Sequence, residues 1–201
     1  MKKSTIIILA VVGVLVFTAF SIVSWGVSTY NSFVSLDEGV NGAWSQVQNQ
    51  YQRRYDLIPN LVETVKGYAA HEKEVLVGVT EARAKVGQMN ISPAMLNDPQ
   101  VFQKFEQAQG GLSSALSRLM VVIEKYPDLK ANQNFLQLQS QLEGTENRIA
   151  VERRRFNEVV QEFNTKIRQF PGSFIAGFGS FSQKAYFKAD VSAQEAPKVK
   201  F

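Results

Sequence analysis

A chain of 201 residues with no cysteine has no thiol nucleophile and no site for a lipoprotein's lipid anchor. Its formal net charge is +4, and two of those charges are Lys2 and Lys3, which leaves +2 for everything that follows. That is too little for a nucleic-acid surface, which needs a clustered basic face, while about 140 residues suffice for one compact domain.

Residues 1–4 are read as a cytoplasmic N-terminus. Thr5 to Val27 is an uncharged apolar run of 23 residues. At about 1.5 Å per residue it crosses a hydrocarbon core of roughly 30 Å. A cleaved signal peptide has a shorter apolar region of about 7–15 residues and a small-residue cleavage site. Here the run is longer, and Trp25 and Tyr30 stand where interfacial aromatics anchor a spanning helix. The run is therefore expected to be an uncleaved, single-pass transmembrane helix. Lys2 and Lys3 precede it, whereas Asp37 and Glu38 are the first charges after it and Arg53 the first basic residue. The positive-inside bias then puts the N-terminus in the cytoplasm and the body outside the inner (cell) membrane.

From Tyr30 to about Gln88 the pattern is helical. Trp44, Val47, Tyr51, Arg54, Ile58, Leu61, Val65, Tyr68, Glu72, Val75, Val79, Ala82 and Val86 follow alternate steps of three and four. Such a 3.5-residue repeat makes a coiled-coil-like stripe that must face another helix. Pro59 inside it predicts a kink. Met89 to Asp98 carries turn chemistry. Asp98-Pro99 then reads as an N-cap and first helical position, opening a helix to about Lys125 in which Gly110-Gly111 mark a bend or a close helix contact. A third helix begins near Asn132 and ends before Pro171. Its seam is Phe135, Leu138, Leu142, Thr145, Ile149, Glu152, Phe156, Val159, Phe163, Ile167 and Phe170.

The expected fold is all-α. A transmembrane helix over 5–27 leads into an elongated bundle of three long helices over 28–170, and a Gly/Phe-rich tail occupies 171–201. In that tail Gly172, Gly177 and Gly179 alternate with Phe174, Phe178, Phe181 and Phe187. The glycines argue against a stable helix, and so many aromatics do not suit a solvated tail. An extended segment packed on its own bundle or on a neighbour is expected, with the four rings as candidate oligomer or partner contacts.

Three blocks carry a family resemblance. Arg53 to Ala69 reads RRYDLIPNLVETVKGYA within a longer matching stretch, Ala43 to Arg83. Glu124 to Asn132 reads EKYPDLKAN, and Leu142 to Asn157 reads LEGTENRIAVERRRFN. With the terminal Pro197-x-Val199-x-Phe201 and the N-terminal run, the chain resembles the LemA family of bacterial single-pass membrane proteins. The resemblance implies a membrane-held helical bundle and carries no catalytic residues with it. Relatives encoded beside another membrane family or a membrane metalloprotease suggest association only.

The residues themselves offer no catalytic, cofactor or metal constellation. His71 is the only histidine, so the usual zinc spacing cannot be completed, and no nucleophile-elbow signature accompanies it. Gly177-Phe178-Gly179-Ser180-Phe181 lacks the spacing of a phosphate loop. The informative charges are Arg54, Glu72 and Glu152, which interrupt the apolar seams. A seam charge is costly unless paired, and it often fixes register and oligomer state. These three are expected to form buried or half-buried ion pairs between helices. The expected partners are the lipid bilayer, further copies of the chain and a possible membrane protein, not nucleic acid. A self-assembling scaffold is the leading function, and an accessory subunit of a membrane enzyme such as a protease is the alternative. Topology is directly testable: Ser192→Cys should react with an impermeant thiol reagent once the outer barrier is opened, and reaction only after inner-membrane lysis would reverse the orientation.

Overall fold

The computed structural model describes residues 3–89 and 92–188. The Pro197–Phe201 motif and the rest of the tail from residue 189 lie outside them. Helix α1 spans Lys3–Lys66, α2 Lys73–Gly87, α3 Pro99–Ile123, α4 Pro127–Lys130, α5 Gln133–Arg168 and α6 Gly172–Phe178, with a 3-10 turn at Pro93–Asn97. Among the described residues there is no strand, so the all-α expectation holds.

Helix α1 has 64 residues and is about 96 Å long at 1.5 Å per residue. Its first part is the one helical stretch among the described residues long and apolar enough to cross a membrane, and its large apolar side chains from Ile7 to Val27 are exposed. From Phe33 onward the same helix buries a stripe: Phe33, Val40, Trp44, Val47, Tyr51, Arg54, Ile58, Leu61 and Val65. Pro59 is accommodated inside it.

The expected single seam from Trp44 to Val86 is in fact two helices joined by a turn over residues 67–72. Lys66-Gly67 gives a basic last turn followed by glycine, the ordinary C-terminal signal of a helix. Tyr68 leaves the seam and becomes exposed, fully buried Ala69 takes its place, and His71 sits exposed in the turn rather than on a helix face. The later starts match their caps. Asp98 accepts from the backbone N–H of Gln100 and Val101, and Asn132 accepts from that of Phe135. Gly110 and Gly111 are not at a close helix contact, since open space lies where a Cβ would stand.

Helices α1 and α5 pair along most of the body. Gly39 lies against Val159, Gln50 against Arg148, Arg54 against Glu146 and Tyr68 against Asn132. Numbers rise along one helix as they fall along the other, so the pair is antiparallel. Helix α3 runs with α1: Trp44 meets Phe102 and Phe105, and Arg54 meets Gln109 and Ser113. Helix α2 folds back on α1, bringing Arg83 to the carbonyl of Tyr55 at 3.1 Å. The body is thus an up-down-up-down four-helix bundle, one more long helix than the seams predicted.

Its core has two lobes. Near the apolar run, Phe33, Trp44, Tyr51, Phe102, Phe105, Phe156, Phe163 and Phe187 give an aromatic lobe. At the far end, Ile58, Leu61, Leu76, Val79, Leu112, Leu116, Leu119, Ile123 and Leu142 give an aliphatic one. Phe156 is fully buried against Trp44, Phe102 and Phe187. Phe156→Ala should cost about 3–5 kcal/mol in urea unfolding of the full chain in detergent, whereas Phe178→Ala, at an exposed position, should stay within about 0.5 kcal/mol of the parent.

Candidate functional site

Between the two lobes lies a polar layer centred on Arg54, whose side chain is 2% exposed. Its Nη1 donates to Ser113 Oγ at 2.9 Å and to Glu146 Oε1 at 2.8 Å, and its Nη2 donates to Gln109 Oε1. The guanidinium also stands 5.2 Å from the Tyr51 ring centroid. One side chain of α1 therefore ties α3 and α5 together. Glu146 is 38% exposed, so the pair is buried on the arginine side and wet on the carboxylate side. An open groove of 560 Å³ lined by Gln109, Ser113, Glu146 and Arg153 leads onto the layer. Burial pushes the Tyr51 phenol up from its ordinary pKa, against the lowering effect of Arg153 and Arg54.

The other two seam charges behave differently. Glu72 is half-buried at the end of the turn and accepts a hydrogen bond from Tyr126 at 3.0 Å. That bond is the main cause of the raised Tyr126 pKa. Glu152 meets Arg155 at 3.0 Å on its own helix. Neither matches the expected ion pair between helices: only the seam position of Arg54 is enclosed on all sides.

The tail also departs from expectation. Residues 172–178 are helical in spite of Gly172 and Gly177, and Ala176 is buried with Ile175 packed beside it. Phe170, placed on the α5 seam by its spacing, lies beyond the helix end and is exposed. Phe187 is buried in the aromatic lobe and Phe181 packs against it, so these two rings are occupied within their own chain. Phe174 and Phe178 face outward.

Beyond α6 the chain extends as a strap along α5. Asn164 donates from Nδ2 to the carbonyl of Lys184 and accepts from its N–H, both at 2.9 Å. Asn157 does the same for Phe187, again at 2.9 Å both ways. Each side-chain amide acts as a peptide group on a neighbouring strand. The match is metric: seven helical residues rise about 10.5 Å and three extended residues about 10 Å. Ala185 donates to the Leu96 carbonyl at 2.9 Å, which ties the strap to the 3-10 turn. Lys184 Nζ lies 2.8 Å from Asp37 Oδ1 on α1. At the end of the strap, the Lys188 N–H donates to Glu106 at 3.0 Å, Arg153 donates to the Lys188 carbonyl at 3.2 Å, and the Arg153 guanidinium lies 4.5 Å from the Phe187 ring centroid.

Sequence reasoning missed Glu146, Gln109, Asn157 and Asn164. The asparagines left a signal: Phe156-Asn157 and Phe163-Asn164 repeat one heptad apart, each with a buried ring beside an amide. Glu146 and Gln109 left none, because a partner across an interface is unknown until the register is.

A four-helix bundle built upon a helix that starts as a candidate membrane span, with its core closed by a strap, defines the class of protein. The chain belongs to the LemA family, whose family model matches residues 43–201. It is 27% identical over 175 residues to magnetosome protein MamQ 2 of Paramagnetospirillum magneticum, covering 79% of this chain and 64% of that protein. Magnetosome protein MamQ of Magnetospirillum gryphiswaldense is 27% identical over 174 residues, with the same coverage. Protein LemA of Metamycoplasma hominis is 25% identical over 162 residues, covering 79% of this chain and 68% of that one. The chain thus spans less than two thirds of the length of the magnetosome proteins it matches.

The asymmetric burial of the ion pair predicts an asymmetric mutational response. Glu146→Ala strands a buried cation and should destabilise towards the lower end of about 3–5 kcal/mol, since the groove admits some water. Arg54→Met replaces the cation by an apolar side chain of similar length, leaves Glu146 in water, and should cost less than Glu146→Ala. Urea unfolding of both variants in detergent checks the order, and the reverse order would show that the guanidinium is not the enclosed partner.

Proposed function

We propose that the chain is a non-enzymatic helical scaffold, anchored in the inner membrane of the bacterial envelope, that assembles with copies of itself. The observation that carries this reading is continuity. The candidate span and the longest helix of the body are one helix, α1, with no break before Lys66, so a contact made by the bundle is held relative to the bilayer without a flexible joint. With the N-terminus cytoplasmic, as Lys2 and Lys3 argue, the bundle stands outside the membrane as a rigid rod.

Self-assembly is supported by the face between α2 and α3. A groove of 1130 Å³ there is lined by Gly78, Ala82, Ala108, Gly111 and Ala115, together with Glu81, Lys85 and Arg118. Small side chains let a partner helix approach closely, and charges of both signs suit a self-complementary contact between identical subunits. The full-length protein, extracted with mild detergent, should run as one homogeneous particle of several protomers. Gly111→Arg, whose Cβ meets open space and whose long side chain would occupy the groove, should reduce that particle to the protomer. A protomer that leaves the membrane only together with one particular enzyme would instead support the second reading, an accessory subunit of that enzyme.

A further inference from the structure

Helix α6 turns its small and aliphatic side inward and its largest rings outward. Ala176 is buried and Ile175 packs on the aromatic lobe, while Phe170, Phe174 and Phe178 are 80%, 63% and 89% exposed. The three rings recur every four residues, and Phe170 and Phe174 meet edge-on with centroids 5.9 Å apart. They form an apolar ridge that the chain's own bundle does not cover.

The place of this ridge along α1 identifies what covers it. Ile175 Cδ1 lies 3.7 Å from where a Gly26 Cβ would stand, and Gly172 packs under the ring of Phe33. Just after α6, Phe181 meets Tyr30 with centroids 5.5 Å apart. Helix α6 therefore sits at the level of residues 26–33, where the apolar run ends at Val27. Trp25 and Tyr30 are exposed at that same level, and Lys166 and Arg168 are exposed at the end of α5. Aromatic rings with nearby cations are the composition of a segment lying in the headgroup region of a bilayer.

We propose that Phe170, Phe174 and Phe178 insert into the headgroup–acyl boundary of the leaflet nearest the bundle, so that α6 is a second, monotopic membrane contact beside α1. The occupant is lipid rather than a second copy of the chain, because the ridge continues the lipid-facing surface of the run, and a protein docked there would have to displace the lipid around it. This rests on the reading of the N-terminal part of α1 as a span. Two contacts, one spanning and one lying in the interface, fix both the depth and the rotation of the bundle about the α1 axis, which a single span leaves free.

The absence of native cysteine makes the test direct. Full-length Phe178→Cys, Val16→Cys and Val121→Cys proteins are each labelled with a nitrobenzoxadiazole fluorophore. They are reconstituted in phosphatidylcholine–phosphatidylglycerol vesicles carrying spin labels either at the headgroup or deep in the acyl chain. The expected result is quenching at position 178 several-fold stronger by the shallow label than by the deep one. Position 16 should show the reverse, and position 121, exposed on the distal half of α3, should be quenched by neither. Quenching at 16 without quenching at 178 would overturn the proposal and leave the span intact. A blue-shifted but unquenched fluorophore at 178 would overturn it in favour of a second copy of the chain. No quenching at 16 or 178 would overturn the span and the proposal together.

Discussion

The position of one guanidinium constrains the whole bundle. Arg54 is enclosed, and its two terminal nitrogens are met by acceptors from two other helices at once, while its buried Nε has no hydrogen-bond partner. Apolar lobes above and below it would tolerate a slip of one heptad, because Leu, Ile and Phe substitute for one another at modest cost. The polar layer would not. Moving α5 by seven residues brings Gln139 or Arg153 opposite Arg54 in place of Glu146. Moving α3 by seven replaces Gln109 with Phe102 or Leu116. The first slip takes the carboxylate from a buried cation and the second puts an apolar side chain where its amide acceptor stood, so the layer selects one register from several that the hydrophobic effect alone leaves close in energy.

How much of this was legible in the sequence depends on the range of each interaction. The apolar run, the heptad stripes, the Asp98 and Asn132 caps and the enclosure of Arg54 are local properties, and the chain declares them within a few residues. The turn at 67–72 was obscured because the 3.5-residue repeat continues in number across a break in the helix. Lys66-Gly67 was the signal, outweighed by Tyr68, Glu72 and Val75 falling on schedule. Helix α6 defeated propensity: its seven residues have two glycines, yet burial of Ala176 and Ile175 against the aromatic lobe selects the helix. Partner identities such as Glu146, or Asn164 for Lys184, are long-range and needed the register first.

The strap shows how an all-α body holds an extended segment without a sheet. A strand beside a helix has no ladder to join, because the helix spends its backbone groups on itself. Asn157 and Asn164 supply the missing peptide-like groups from side chains. Lys184 and Phe187, which the strap exchanges with them, also bring a charge to Asp37 and a ring to the aromatic lobe. The strap over residues 181–188 is thereby part of the core rather than an appendage, and the aromatic lobe is incomplete without it.

Unbroken helicity from Lys3 to Lys66 also makes α1 a lever arm. The portion from Val27 to Lys66 is about 58 Å long at 1.5 Å per residue. On the proposed reading of the apolar run as a span, a tilt of about 20° from the bilayer normal, common for such helices, displaces the far end of the bundle by about 20 Å, because no hinge absorbs the angle. On the same reading, a change in bilayer thickness, by altering the tilt that matches the apolar run to the hydrocarbon, would displace the aliphatic lobe by several times the change itself.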